Sequence, residues 1–377
     1  MKEFTKWVAA WGNAPSIHEQ TEIRYTKDVT LRYPIFIVFD GDKIRLHFSN
    51  LTGFELVSFQ CAISYMDKYY DVTCQGNPVI QLDAHQADLE TDEIEIDVIA
   101  GTQIEVSIYL NEFTLMDSGV FICGPLSMGQ YAYGNEMYAT DFPRDTSRKT
   151  NWYYFLTGVD VHTEENNHAL ICYGDSITAQ NWPDDLVIRA WENGYHNVSI
   201  IRRAVSGTRI LRQYDNITYA AYGLKGEIRF PVEMHTAGAD SVLIQHGIND
   251  IIHPVGEEVN IFRPMSDLPT LEELKEGYTR LYIRYARSLG YKVYGATLLP
   301  IEGWRTYAPF RDELRNAFND WLRTTALLDG CIDFDEAVRD PDHPARFFKE
   351  YDSGDHLHPS AKGYLTMANA VDEKLLK

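Results

Sequence analysis

A short apolar run without alternation, Leu170-Ile171-Cys172-Tyr173, stops abruptly at Gly174-Asp175-Ser176. Such a run fits a strand buried on both faces of a parallel sheet, and it constrains the fold more than any other stretch of the chain. Gly174 breaks the strand and lets the backbone turn sharply. Ser176 then stands just past the strand's carboxyl end, where open α/β sheets place their ligands. A serine there is a candidate nucleophile if a base and donors for a developing oxyanion reach the same edge.

The residues that follow repeat the strand-then-helix pattern. Pro183 marks a helix start, with Leu186, Val187, Ala190 and Trp191 at helical spacing up to Gly194. Apolar runs at Val198 to Ile201, Ser241 to Gln245, Lys292 to Leu298 and Cys331 to Phe334 predict further strands. Thr270 with Glu273 predicts a capping box for a helix running to about Leu289 and closed by Gly290. Pro309 predicts another helix, with Leu314, Ala317, Phe318, Trp321 and Leu322 on one face, and Ser360 to Leu376 a closing one. This alternation implies an α/β unit whose parallel sheet is covered on both faces.

From about Trp7 to about Val161 the period is two instead. Ile44, Leu46 and Phe48 alternate with Arg45 and His47, and Asp40-Gly41 predicts a tight hairpin turn before them. Ile94, Ile96 and Val98, then Ile104, Val106, Ile108 and Leu110, continue the pattern without helical stretches. An antiparallel sandwich or jelly roll is the expectation, with Gly129 to Lys149 as a long loop. The polar stretch Thr163-Glu164-Glu165-Asn166-Asn167 marks the boundary. The reading is an all-β domain over 1–165 and an α/β domain over 166–377. Aromatics are dense in the first: Trp7, Trp11, Tyr69, Tyr70, Tyr131, Tyr133 and Tyr138 either fill core and interface or offer a face to sugars.

The formal charge of −21 argues against nucleic-acid or anionic-membrane partners, whose binding needs a basic face. A neutral small-molecule or oligosaccharide ester fits better, and a homo-oligomer is left open. No apolar run reaches the length of a signal peptide or a membrane span, so a cytoplasmic location is expected unless a signal has been trimmed. The five cysteines are scattered with no Cys-x-x-Cys pair, which suggests neither a disulfide framework nor a zinc site.

Asp352-Ser353-Gly354-Asp355-His356-Leu357-His358 offers a base and its orienting carboxylate close together. On a helical turn Asp355 and His358, three apart, share a face, so His358 is the expected base. His356 would point elsewhere and is the substitute candidate. The competing reading is a metal site drawn from Asp340, Asp342, His343, Asp352, Asp355, His356 and His358, though no His-Glu-x-x-His spacing supports it. Oxyanion donors are expected from the amide of Ser176, the amide of Gly207 and the side-chain amide of Asn249, each following a successive predicted strand.

Gly174-Asp175-Ser176-Ile177, Gly207, Gly247-Ile248-Asn249-Asp250 and Asp355-His356-Leu357-His358, in this order, resemble the four blocks of the SGNH/GDSL hydrolase superfamily. Trp7 to Gly12 and Leu46 to Asn50 also resemble the amino-terminal β-domain of a bacterial esterase subgroup. The resemblance implies a flavodoxin-like three-layer α/β hydrolase domain preceded by an all-β sandwich. It implies Ser176 as nucleophile, His358 as base, Asp355 as its orienter, and Ser176, Gly207 and Asn249 as the oxyanion hole, with no metal or cofactor. The expected activity is carboxylic ester hydrolysis through an acyl-enzyme, with carbohydrate O-deacetylation as the leading case. A lipase, thioesterase or arylesterase on small acyl groups, or a glycan-binding protein without turnover, are the alternatives. Specificity is expected in the loops Pro254 to Pro269, Gly303 to Pro309 and Gly129 to Tyr138.

Overall fold

The apolar–polar alternation along Ile94–Val98 appears as strict alternation of buried and exposed residues, the mark of a strand with one face in a core. The computed structural model describes residues 3–14, 24–213 and 222–377. Met1 and Lys2 of the opening segment lie outside the described residues. The chain divides into two compact units. One comprises Met1–Ala169, Ala190–Ile201 and Thr236–Gly238, and the other Leu170–Arg189, Arg202–His235 and Ala239–Lys377.

The first unit holds two larger antiparallel sheets in a sandwich-like arrangement. In one, the strands run in the order Lys6–Gly12, Leu156–Thr163, Gly41–Phe48, Leu89–Glu90, with Ile94–Val98 also paired to Gly41–Phe48. The other runs Ser147–Thr150, Gly129–Tyr133, Val29–Ile37, Thr102–Leu110, Val57–Tyr65, Lys68–Val72, with Val79–Leu82 on Val57–Tyr65. Inward side chains from both, including Ile44, Leu46, Phe48, Ile35, Ile63 and Val106, are fully buried. Phe48 and Phe59 meet edge to face at 5.0 Å between the sheets.

The structure departs from two expectations in this unit. Asp40-Gly41 joins no hairpin, because Val29–Ile37 and Gly41–Phe48 belong to different sheets. The turn is held by distant partners instead: the Asp40 carboxylate accepts from the Ala100 amide at 2.7 Å, and its carbonyl from Thr163 Oγ1 at 2.7 Å. Nor is 129–149 a long loop, since Gly129–Tyr133 and Ser147–Thr150 pair in register at the sheet's edge. The dense aromatics divide between roles. Trp11 stacks on Tyr153, and Trp7 lies 4.6 Å over the Arg45 guanidinium. Tyr133 and Tyr138 are 62% and 50% exposed.

From His168 onward the chain builds a parallel sheet. Its strands are β1 (His168–Gly174), β2 (Val198–Ala204), β3 (Ala239–Gln245), β4 (Lys292–Ala296) and β5 (Gly330–Ile332). Their order, β2-β1-β3-β4-β5, is the flavodoxin-like one. Residues 169–174 and 198–204 are buried throughout, as expected of strands covered on both faces. The helices are α1 (Trp182–Glu192), α2 (Gly226–Glu233), α3 (Ile248–Ile252), α4 (Leu271–Gly277), α5 (Arg284–Ser288), α6 (Pro309–Thr324), α7 (Phe334–Val338) and α8 (Ala361–Ala370).

Thr270 and Glu273 form the expected capping box, but the helix they begin is not uniform. Tyr278–Ile283 is a π-helical segment between α4 and α5. Its two buried tyrosines each reach β3 or the residue after it: Tyr278 OH donates to Ile244 O at 3.1 Å, and Tyr282 OH pairs with His246 Nδ1 at 2.8 Å. The buried face of α6 is Arg311, Arg315, Phe318, Asn319 and Leu322, so polar side chains share the face expected to be apolar. They are buried because they are paired. Arg315 donates to Asp335 at 2.6 Å and Leu298 O at 3.0 Å, and Asn319 bonds both the amide and the carbonyl of Leu298. The predicted last strand is shorter, with Phe334 starting α7 behind an Asp333 cap. The closing helix stops at Ala370, followed by a 3₁₀ turn at Glu373–Leu376. No disulfide joins the five cysteines. No helix among the described residues is long and apolar enough to cross a membrane.

Candidate active site

The end of β1 leaves no room for a side chain at Gly174. A Cβ there would lie 2.3 Å from Thr178 Oγ1 and 2.6 Å from Gln245 O, so the glycine lets β1 and β3 close on one another. Past it, a turn is closed by the Ala179 amide on Asp175 O at 2.9 Å. Asp175 Oδ1 accepts from the Ile177 amide at 3.1 Å, the local bond by which Asp shapes turns. Ser176 stands on this turn. Asp175 is fully buried, and burial pushes its carboxyl up to about 7 against the pull of the Ile177 amide and of His358 and Arg229.

Ser176 Oγ is 2.9 Å from His358 Nε2, and His358 Nδ1 is 2.7 Å from Asp355 Oδ2. The three residues expected to act together are therefore joined by hydrogen bonds, although 182 positions separate Ser176 from His358. A helical turn is not what aligns Asp355 and His358. Residues 354–358 are a bend, in which Asp355 Oδ1 accepts from the amides of Leu357 and His358 at 2.9 and 2.8 Å. Partial burial opposes charge on Asp355, but these bonds and the one from the His358 ring outweigh it and hold the carboxyl below the usual range. His356 has a φ of 65° and faces Asp352 instead, with Nδ1 2.5 Å from Oδ2.

The residues of the competing metal reading go to separate tasks. Asp340 accepts from the Asp342 amide, Asp352 holds His356, and Asp355 holds His358. Among the described residues, no three His, Cys, Asp or Glu side chains are grouped as a metal ion would require.

Gly207 follows β2 with a φ of 78°, and a Cβ there would lie 2.2 Å from the Tyr222 ring. The next residue, Thr208, gathers neighbouring groups. Its carbonyl accepts from Asn249 Nδ2 at 3.1 Å and lies 3.0 Å from His246 Nε2. Asn249 lies in the first turn of α3, is 3% exposed, and presents one of its two amide protons to Thr208. Asp250 accepts from the amides of Ile210 and Leu211 at 2.8 and 3.0 Å, fixing the chain after Gly207 to α3.

Several residues of this edge have no sequence signature. His246 is buried between Thr208 and Tyr282, and burial with the nearby Arg229 charge pulls it down to about 3, so it is neutral. Arg229 and Glu233 form a buried pair at 2.8 Å, although their i,i+4 spacing on a helix is that of ordinary exposed ion pairs. Trp304 lies edge-on to His358 with ring centroids 6.5 Å apart. It belongs to the loop 303–309, which also reaches α3 through Thr306 Oγ1 to Ile252 O at 2.9 Å. The loop 254–269 exposes Val259 and Ile261 at 71% each. Of the third expected specificity segment, Gly129 to Tyr138, the part Gly129–Tyr133 is a strand of the first unit.

A flavodoxin-like sheet whose first strand ends in Gly-Asp-Ser, with that serine bonded to a histidine and the histidine to an aspartate, defines a hydrolase of the SGNH type. The chain belongs to the GDSL-like lipase/acylhydrolase family, whose model matches residues 172–365. It is a hydrolase of the esterase class. Among solved structures it is similar to an α/β hydrolase enzyme, LAE5, from the metagenome of Lake Arreo, with 18% identity over 54% of this chain and 92% of that one (TM-score 0.38). It is also similar to Axe2, an acetylxylan esterase from Geobacillus stearothermophilus, with 16% identity over 56% of this chain and 96% of that one (TM-score 0.34). A family two carbohydrate esterase from Cellvibrio japonicus aligns over 96% of this chain and 97% of its own, at 10% identity (TM-score 0.33). No curated protein matches the chain.

Proposed function

We propose that the protein is a serine esterase working through an acyl-enzyme, with acetylated carbohydrate as its substrate class. The observation that carries the mechanism is the relay Ser176 Oγ–His358 Nε2–Asp355, at 2.9 and 2.7 Å. His358 Nε2 takes the Ser176 proton as Oγ attacks the ester carbonyl. The tetrahedral oxyanion accepts from the Ser176 and Gly207 amides and from the second amide proton of Asn249. Collapse breaks the bond to the alcohol, which leaves with the proton from His358. Water then attacks the acyl-serine with His358 again as base, releasing the acid and restoring Ser176. Asp355, held ionised, fixes the imidazole with Nδ1–H towards itself and stabilises the imidazolium. A neutral ester fits the net charge of −21 better than a polyanion does.

The test is labelling and turnover in Ser176→Ala. A fluorophosphonate probe should label the wild type and not the variant, and hydrolysis of p-nitrophenyl acetate should fall by about 10⁴ or more. Turnover retained in the variant would overturn the mechanism. Acetate release from acetylated oligosaccharides, compared with p-nitrophenyl esters of rising chain length, tests the substrate class. A preference for long acyl chains would overturn it.

A further inference from the structure

Arg229, on α2, is 1% exposed, and its Nε and Nη2 each meet a different carboxylate oxygen of Glu233 at 2.8 Å. Glu233 is equally hidden, at 2%. Removing such a pair from water costs several kcal/mol per ion, and apolar replacements are often as stable, so stability alone explains the pair poorly.

The remaining donors of the guanidinium show where it acts. Arg229 Nη1 donates to Thr208 Oγ1 at 2.7 Å and to Gly174 O at 3.3 Å, and Nη2 donates to Arg203 O at 3.3 Å. Gly174 ends β1 two residues before Ser176, Arg203 lies in β2, and Thr208 follows Gly207. One planar fork therefore ties the nucleophile's strand to the turn that carries Gly207. The link continues through Thr208, whose hydroxyl donates to Val205 O at 2.9 Å and whose carbonyl accepts from Asn249 Nδ2. Tyr173 lies under the guanidinium at 4.8 Å and fixes its plane. A lysine offers no such fork.

We propose that Arg229 and Glu233 are a positioning pair for the oxyanion hole, setting the spacing of Ser176, Gly207 and Asn249 through Gly174 O and Thr208. Neither touches substrate. The proposal rests on reading Ser176 as the nucleophile and assigns the alignment of the three donors to a buried ion pair outside the reacting groups.

Thr208→Val removes the hydroxyl link while leaving the Arg229–Glu233 pair in place. It should lower kcat about tenfold or more with KM within about twofold, since the donors act on the transition state. Binding of a boronic acid, which forms a tetrahedral adduct on serine, should weaken in proportion to kcat. A role in folding alone would instead lower the folded fraction and leave kcat per folded molecule unchanged, which overturns the proposal. Coupling supplies a second readout. In Asn249→Ala, where one donor is already gone, adding Thr208→Val should cost clearly less than it does alone, and full additivity overturns the proposal. Arg229→Lys should show the same kcat-selective loss, and Thr208→Val decides the matter whether or not that variant folds. Ser176→Ala separates the two readings. Turnover retained there sinks the nucleophile itself, whereas an inactive Ser176→Ala beside a fully active Thr208→Val sinks only the positioning pair.

Discussion

Asp175, beside the proposed nucleophile, carries a charge problem that Ser176 does not. Its Oδ1 accepts from the Ile177 amide, but Oδ2 is buried and, among the described residues, has no hydrogen-bond partner. The carboxyl is raised from 3.8 to about 7 by burial, so the folded protein holds this proton where the unfolded chain releases it. Between about pH 4 and about pH 7 the folded state therefore binds more protons, and stability is lost as pH rises, with the full loss remaining above that window. Asp175→Asn keeps the acceptor for Ile177 and removes the ionisation. The variant should gain stability relative to the wild type between about pH 4.5 and about pH 8, read as urea midpoints. Parallel midpoints at the two values would show that Asp175 does not ionise there. The Gly174-Asp175-Ser176 motif marks the place of this residue but says nothing of its complete burial, which the tertiary structure decides.

At the scale of elements, the strand Gly41–Phe48 shows how an alternating pattern conceals a charged cluster. Arg45 and His47 read as the solvent side of the strand, yet they cover Asp160 of the paired strand Leu156–Thr163, which is only 3% exposed. His47 Nε2 and Arg45 Nε both reach Asp160 Oδ2 at 3.0 Å, and His47 Nδ1 reaches Asp88 at 3.2 Å. Burial pulls the imidazole down, but the bonds to Asp160 and Asp88 outweigh it and lift His47 to about 9. Its stabilising effect is therefore full below about pH 6.5 and lost as pH rises through about 9. His47→Gln should be less stable than the wild type at about pH 6, with the gap closing by about pH 10. A gap independent of pH would mean that His47 acts by packing alone. The period-two pattern placed Arg45 and His47 on the outer face. It carried nothing about the carboxylate they enclose, because that partner lies 115 residues away from Arg45.

Over the whole molecule, 55 acidic residues oppose 34 basic ones, and self-repulsion opposes the folded state. Exposed ion pairs contribute roughly 0–1 kcal/mol each, and salt screens them together with the net repulsion. Raising NaCl from about 0.02 M to about 0.5 M shortens the screening length from roughly 20 Å to roughly 4 Å. The urea midpoint should rise over that range, and a fall would show that local pairs outweigh the net charge.

The sequence by itself determined the fold class and the residues at the carboxyl edge of the sheet. Periods of two and 3.6 report local burial, and strand-ending glycines report turns, all within a few residues. Gly174-Asp175-Ser176 and Asp355-His356-Leu357-His358 were legible for that reason. What depends on distant partners was not legible. Asp40-Gly41 reads as a hairpin because hairpin chemistry is local, while the sheet each neighbouring strand joins is decided by pairing across the chain. Nothing local marks Arg229, Glu233, Arg311 or Arg315 for burial, because sequence spacing does not reveal the carbonyls and carboxylates that pair with them. The tertiary structure alone brought Thr208, Asn249, His246 and Arg229 together, since hydrogen bonds between strand ends exist only once the sheet has set their spacing.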